Sequence, residues 1–428
     1  MSDRVQDVDE QEPVVRPTRR PWRLLPDPAP QQRSFSVISV DDHLTEPAHV
    51  FTSRFPTKLR DRAPQLVTQP DGSEAWSYKD RLYVDNGLSV VAGRPREEWS
   101  EEVLNLGEMR RACWDVDARV ADMDLDGIWA SLCFPSGAWG FTGRVLSLNR
   151  DAEVGLAAIR AWNGWMLEEW YGAHPDRFIP MQLPWLPDPV VAADEVRRNA
   201  ELGFRSVSFL ESPERLGLPP ITDHAHWEPF FRACEETDTV ISLHCGASGF
   251  TLQGSPGTGL NTQVSMFPGT AFCAAVDWVW AGIPCRYPGV KIALSEGGIG
   301  WVPMAIDRLD YVTEHSAGSA AVEPWTWDVS PSEALRRNFW FCMLDDPSTL
   351  DQRHLIGVDH IMFETDYPHA DSTWPHSQDL LRRRLGYLPF DEASMIAGGN
   401  AARLFRHPLP PADDWPSVVT HPGAQPTT

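Results

Sequence analysis

The chain has 428 residues, enough for a large core and long for one domain unless that domain is a barrel. Its 37 Lys and Arg against 60 Asp and Glu leave a formal net charge of −23, a surface that repels nucleic acid and anionic membranes, so neither is expected as a partner. The seven cysteines are odd in number and scattered without a C-x-x-C pair, no apolar run is long enough to span a membrane and no N-terminal apolar leader precedes the fold, which together point to a reducing, cytoplasmic compartment rather than a disulfide framework.

Residues 1–34 are rich in Pro, Arg, Asp and Gln and read as a disordered or draped arm. An apolar run at 35–40 ("FSVISV") opens the folded part. Residues 57–112 then break the pattern: Asp71-Gly72 is a hairpin signal, followed by the alternating "AWSYKDRLYV". This stretch reads as a cap-like insertion after the first strand. Beyond it, strand-like runs at 129–134, 178–183, 205–210, 239–244, 290–295, 339–343 and 360–365 alternate with helical patterns. The helical patterns fall at 115–127, 187–202, 225–237, 270–282, 302–314, 331–337 and 376–385. The tail at 406–428 reads as flexible. Strands separated by helices imply βαβ units and a parallel sheet, and eight of them predict a closed (β/α)8 barrel over 35–405. An open doubly wound sheet is the competing arrangement, but no G-x-G-x-x-G turn follows the first strand.

In a barrel the C-terminal strand ends converge on one site. The first strand ends "SVDDHLTEP", where Asp41 and His43 are two apart and share a face while Asp42 points away. The fifth ends in His244 ("ISLHCGASG") and the eighth in Asp366 ("MFETDYPHADSTWP"). A single histidine at a strand end is more often a hydrogen-bonded rim residue than a ligand. Four such residues on strands that a barrel unites form a set suited to Zn²⁺ or Mn²⁺ with a position left open.

The segments "VDDHLTEP", "WDVDARVADMDLDGI", "ISLHCGASG", "ALSEGGIGWVPMAIDRLD" and "MFETDYPHADSTWP" resemble, in order over about 35–405, the amidohydrolase-related family of aminocarboxymuconate-semialdehyde and γ-resorcylate decarboxylases. The resemblance implies a distorted (β/α)8 TIM barrel of the metal-dependent hydrolase type, a mononuclear divalent metal (Zn or Mn) and a homo-oligomer, a dimer. By resemblance Asp41 and His43 take the place of the family's first-strand His-x-His or Glu-x-His pair, His244 that of its strand-5 ligand and Asp366 that of its strand-8 aspartate. The family's decarboxylases usually carry a histidine at the end of strand 6, where this chain has Glu296 in "SEGG". A carboxylate there can carry a proton, with a raised pKa, or hold geometry through an ion pair, and the proton-carrying role is the one expected of Glu296. The wider superfamily's two-metal sites use a carboxylated lysine on strand 4, and no lysine occurs between residues 80 and 290, so a Lys-bridged pair of metals is excluded.

His369, Trp301 and Trp374 sit near the presumed site loops and are the candidates for contact with substrate, although most of the 19 tryptophans must be packing. The implied reaction is non-oxidative decarboxylation or a related C–C cleavage of a small aromatic or unsaturated carboxylic acid, with Asp366 or Glu296 managing the proton. Hydrolysis of an amide, ester or lactone by metal-activated water would use the same residues and stays open.

Overall fold

The computed structural model describes residues 23–316, 318–320 and 324–411. Most of the expected N-terminal arm (1–22) and of the C-terminal tail (412–428) lies outside them.

Eight parallel strands form the centre. They are β1 (Val37–His43), β2 (Ile128–Phe134), β3 (the pieces Phe178–Ile179 and Met181–Gln182), β4 (Ser206–Phe209), β5 (Val240–His244), β6 (Ile292–Ser295), β7 (Phe339–Met343) and β8 (Ile361–Phe363). Almost every residue in them is buried, as the unbroken apolar runs of a sheet covered on both faces require. The order around the sheet is sequential: β1 pairs with β2 and with β8, and β4 through β8 pair in turn. The two pieces of β3 close the circle, one pairing with β2 and the other with β4. Pro180 separates them and has no N–H for the ladder, which splits the strand the sequence presents as continuous.

The expected helices are present with ends shifted by a few residues. Their caps explain where they start: Asp115 accepts from the Ala118 N–H, Asp188 from Val190 and Val191, and Ser330 from Glu333. The longest helix that the sequence pattern does not anticipate is Ala152–Trp165, capped by Asp151 and continued by a π-turn at Met166–Trp170. Nine of its residues are buried, so it shows no clean polar face and its period is blurred. No helix among the described residues is long and apolar enough to cross a membrane.

Within 57–112, the strands Gln65–Thr68, Glu74–Tyr78 and Arg81–Tyr83 form a three-stranded antiparallel sheet. Gly72 at the hairpin has φ +85°, the left-handed conformation this turn demands. The segment is bound to residues just beyond barrel strand ends. The N–H groups of Val91 and Ala92 donate to the Pro368 carbonyl, at 3.0 and 3.3 Å, and Thr45 N–H donates to Cys113 O, just past the segment, at 2.7 Å. The Ala138 N–H donates to Asp85 at 2.8 Å. These contacts tie Asp85, Val91 and Ala92 of the segment to the chain that follows β2 and β8.

At the other end of the first βα unit, Asp126 is fully buried and accepts from the backbone N–H and hydroxyl of Ser377. Burial pushes its carboxyl up to about 8, against the pull of the Ser377 donors. The folded chain therefore holds a proton there that the unfolded chain releases near the ordinary carboxylate pKa. Its stabilising contribution is complete below the unfolded pKa and is lost as pH rises through the folded value. Asp126→Asn cannot titrate, so between pH 5.5 and 8.5 it should lose less stability than the wild type, by on the order of 2 kcal/mol in urea denaturation. Identical losses in the two proteins would contradict this.

Candidate metal centre

β1 carries Asp41 and His43 on one face, as strand alternation requires, despite a register irregularity between Ser39 and Asp42. Both point into the barrel mouth with His244 from the end of β5. The Nε2 atoms of His43 and His244 lie 3.2 Å apart. His43 Nε2 is 3.5 Å from Asp41 and 3.4 Å from Asp366, and His244 Nε2 is 3.8 Å from Asp41 and 3.5 Å from Glu296. His369 Nδ1 stands 2.8 Å from Asp366 Oδ1 and 3.6 Å from Glu296. Two overlapping sets emerge, each with potential ligand atoms all within 4.8 Å of one another: Asp41–His43–His244 and His43–Glu296–Asp366–His369.

Two nitrogens bound to one ion at about 2.1 Å and a near-tetrahedral angle would be separated by roughly 3.4 Å. The observed Nε2 pair is close to that. The other ring nitrogens face backbone carbonyls, His43 Nδ1 at 3.4 Å from Pro135 O and His244 Nδ1 at 3.0 Å from Cys245 O. Such contacts place the proton on Nδ1 and leave the Nε2 lone pair for a ligand role. Burial, reinforced by neighbouring imidazoles, holds His43 well below its ordinary pKa, and burial also lowers His244. Both rings are thus neutral, the form that binds metal.

The carboxylates give the sharper test of fit. Asp41 is fully buried, and neither of its oxygens accepts a hydrogen bond from any described residue. Burial, with Glu364 and Glu296 nearby, drives its pKa far upward. Asp366 is driven upward as well, by burial and then by Glu296. Buried carboxylates left in this condition are costly unless a cation compensates them. The donor set of imidazoles and carboxylates fits one divalent ion such as Mn²⁺ or Zn²⁺.

Glu296 behaves differently from the expected upward shift. Burial raises its carboxyl, but His244 and His369 outweigh that and hold it below the ordinary value. Its backbone N–H donates to Glu364 at 3.0 Å. Trp301 and Trp374 are not drawn into the cluster. The Trp301 indole donates to Gly297 O and packs against Phe272 and Phe341. Trp374 donates to Asp122 O and lies under the Arg110 guanidinium beside Tyr367.

Three residues with a part here carry no signal in the sequence, or read there only as pointing away. Asp42 faces the back of the cluster and accepts from the hydroxyls of Ser39, Ser131 and Thr365 and from the Tyr367 N–H. It thereby ties together the ends of β1, β2 and β8. Arg119 is fully buried and donates to the carbonyls of His43 and Ala112, with its guanidinium over the Tyr367 ring. Phe141, in the loop after β2, places its ring against His43, His244 and His369.

Groups that orient ligands typically change metal affinity 10–100-fold when lost. Asp42→Asn should therefore weaken manganese binding by about that factor while the chain stays folded. Competition against a chelator with circular dichroism as the folding control checks this, and unchanged affinity would contradict it.

A family model for Amidohydrolase matches residues 45–407, a span that begins just after Asp41 and His43. Gamma-resorcylate decarboxylase of Rhodococcus jostii (strain RHA1) is 26% identical over 306 residues, covering 61% of this chain and 82% of that one. An amidohydrolase from Mycobacterium avium subsp. paratuberculosis K-10 superposes with a TM-score of 0.68 at 22% identity, covering 87% of this chain and 99% of that one. A 5-carboxyvanillate decarboxylase from Novosphingobium aromaticivorans DSM 12444, complexed with manganese and 4-hydroxy-3-methoxy-5-nitrobenzoic acid, superposes with a TM-score of 0.61 at 17% identity, covering 87% of this chain and 96% of that one. The two structures share the barrel architecture, and with the family model matched over most of its length, the chain belongs to the amidohydrolase family.

Proposed function

We propose that this protein is a divalent-metal-dependent carboxy-lyase that removes CO₂ from a small aromatic or unsaturated carboxylic acid. The observation that carries the reading is the unpartnered buried carboxylate of Asp41 facing two neutral imidazoles, with Asp366, His369 and Glu296 on the other side. The relative from Rhodococcus is named for the same class of reaction, and the Novosphingobium decarboxylase is complexed with manganese together with a nitrobenzoic acid.

Asp41, His43, His244 and Asp366 would hold the ion. When bound, it supplies a Lewis acid that fixes the substrate's carboxylate and a neighbouring oxygen and spreads their charge. The bond between the substrate carbon and its carboxylate breaks, CO₂ leaves, and the electron pair left on carbon takes up a proton. Asp366 is the group assigned to that proton, and His369, 2.8 Å away, holds its carboxyl in place. Glu296, whose carboxyl is held below its ordinary value, stands 3.5 Å from His244 and 3.6 Å from His369 and fixes the positions of the two rings. Partial closure by the 57–112 segment would limit water at the mouth. The chain is further proposed to act in the cytoplasm as a homo-oligomer; all seven of its cysteines are free, five of them buried.

Manganese-loaded protein should release CO₂ from ortho-hydroxybenzoic acids, and a chelator should abolish this. Asp366→Asn should lower kcat by about 10²–10⁴, as loss of an acid–base partner does. Release of an alcohol from esters or lactones, with no CO₂ from any acid, would contradict decarboxylation and favour hydrolysis.

A further inference from the structure

We propose that Phe141 is the wall of the active site against which the flat ring of the bound acid packs, and so sets the preference for an unsaturated substrate. The inference rests on the metal-dependent reading of the cluster.

Among the described residues, seven that are not glycine have positive φ. Three of them converge on one spot: Asp366 at +51°, Glu296 at +53° and Phe141 at +55°. For an aromatic residue this conformation is a costly outlier that persists only where the surroundings enforce it, and such residues cluster at functional sites. Phe141 is enforced. It lies in "GAWGFTG" between Gly140 (φ +79°) and Gly143 (φ +70°). A Cβ on Gly140 would stand 2.6 Å from Arg144 Nε, and one on Gly143 would stand 2.5 Å from Leu183 Cδ1. The Thr142 carbonyl accepts from Ser208 of β4, and Arg144 donates to Ala247 O in the loop after β5. The loop is pinned to two neighbouring strand ends.

What this strain achieves is a placement. The Phe141 ring centroid lies 4.8 Å from that of His43, 5.2 Å from that of His244 and 5.1 Å from that of His369. With His244 the planes are within 23°, a stack. An apolar ring almost equidistant from three imidazoles thus stands directly beside the cluster that would hold the ion. Phe141 is half-buried, which leaves part of it uncovered for contact with a ligand. A planar ring held by its carboxylate at the ion would meet Phe141, and offset or edge contact between aromatic rings favours it over a saturated ring of equal size.

The test uses full-length, manganese-loaded protein and two unreactive probes, benzoate and cyclohexanecarboxylate, with affinities from calorimetry. The wild type should bind benzoate about tenfold more tightly, the scale of one aromatic pair. Phe141→Leu keeps apolar bulk and should lose that preference, as should Phe141→Ala, with metal content and acetate affinity unchanged. Persistence of the preference in both variants would overturn the assignment even if CO₂ release from hydroxybenzoic acids is normal. A preference that depends on Phe141 in a protein releasing no CO₂ would support the wall and remove the decarboxylase reading instead.

Discussion

The cost of burying Asp41 and Asp366 is the constraint around which the rest of the molecule is organised. Each is at most 1% exposed, and each is pushed toward its neutral form by the loss of water. Serine and threonine hydroxyls could have satisfied them, yet those hydroxyls are given to Asp42 on the reverse side. The inward carboxylates meet imidazoles instead, and His43 and His244 turn their remaining nitrogens to backbone carbonyls. Opposing one neutral lone pair with another at 3.2 Å is favourable only when something positive lies between them. A divalent cation resolves the carboxylates and the lone pairs together.

A parallel barrel is the scaffold that can impose this arrangement. Its strands converge at their C-terminal ends, so β1, β5, β6 and β8 each contribute one or two short side chains to the same few ångströms. The positions are over-determined from behind. Asp42 joins three strands, and Arg119 joins the His43 carbonyl to the end of the insertion at Ala112. Tyr367 continues the support outward by donating to Asp122, which in turn pairs with Arg110. That packed, hydrogen-bonded backing makes the positive φ of Asp366 and Glu296 tolerable.

Much of this was legible in the sequence, for definite reasons. Apolar runs ending in Asp or His identify strand ends, and period-two spacing assigns Asp41 and His43 to one face and Asp42 to the other. Helical patterns between the strand runs placed the main helices to within a few residues, and the ends were then set by local caps such as Asp115, Asp188 and Ser330. What stayed hidden depends on partners far along the chain. Nothing about Arg119, 76 residues from His43, signals that it will clasp that residue's carbonyl. Phe141 resembles any loop aromatic until the loop is folded over β5. Nearness in sequence also misleads: Trp301 and Trp374 follow the site loops closely, yet their indoles satisfy backbone carbonyls of Gly297 and Asp122. The downward shift of Glu296 was equally out of reach, because it depends on two imidazoles delivered by other strands.

The most direct test of the whole account is the position of the ion itself. Crystals of the manganese-loaded protein, measured at the manganese absorption edge, should show one anomalous peak per chain. It should lie roughly 2.0–2.3 Å from the Nε2 atoms of both His43 and His244, with carboxylate oxygens of Asp41 and Asp366 completing the set. A peak bound elsewhere, or an Asp41 carboxylate that stays outside the coordination sphere, would contradict it.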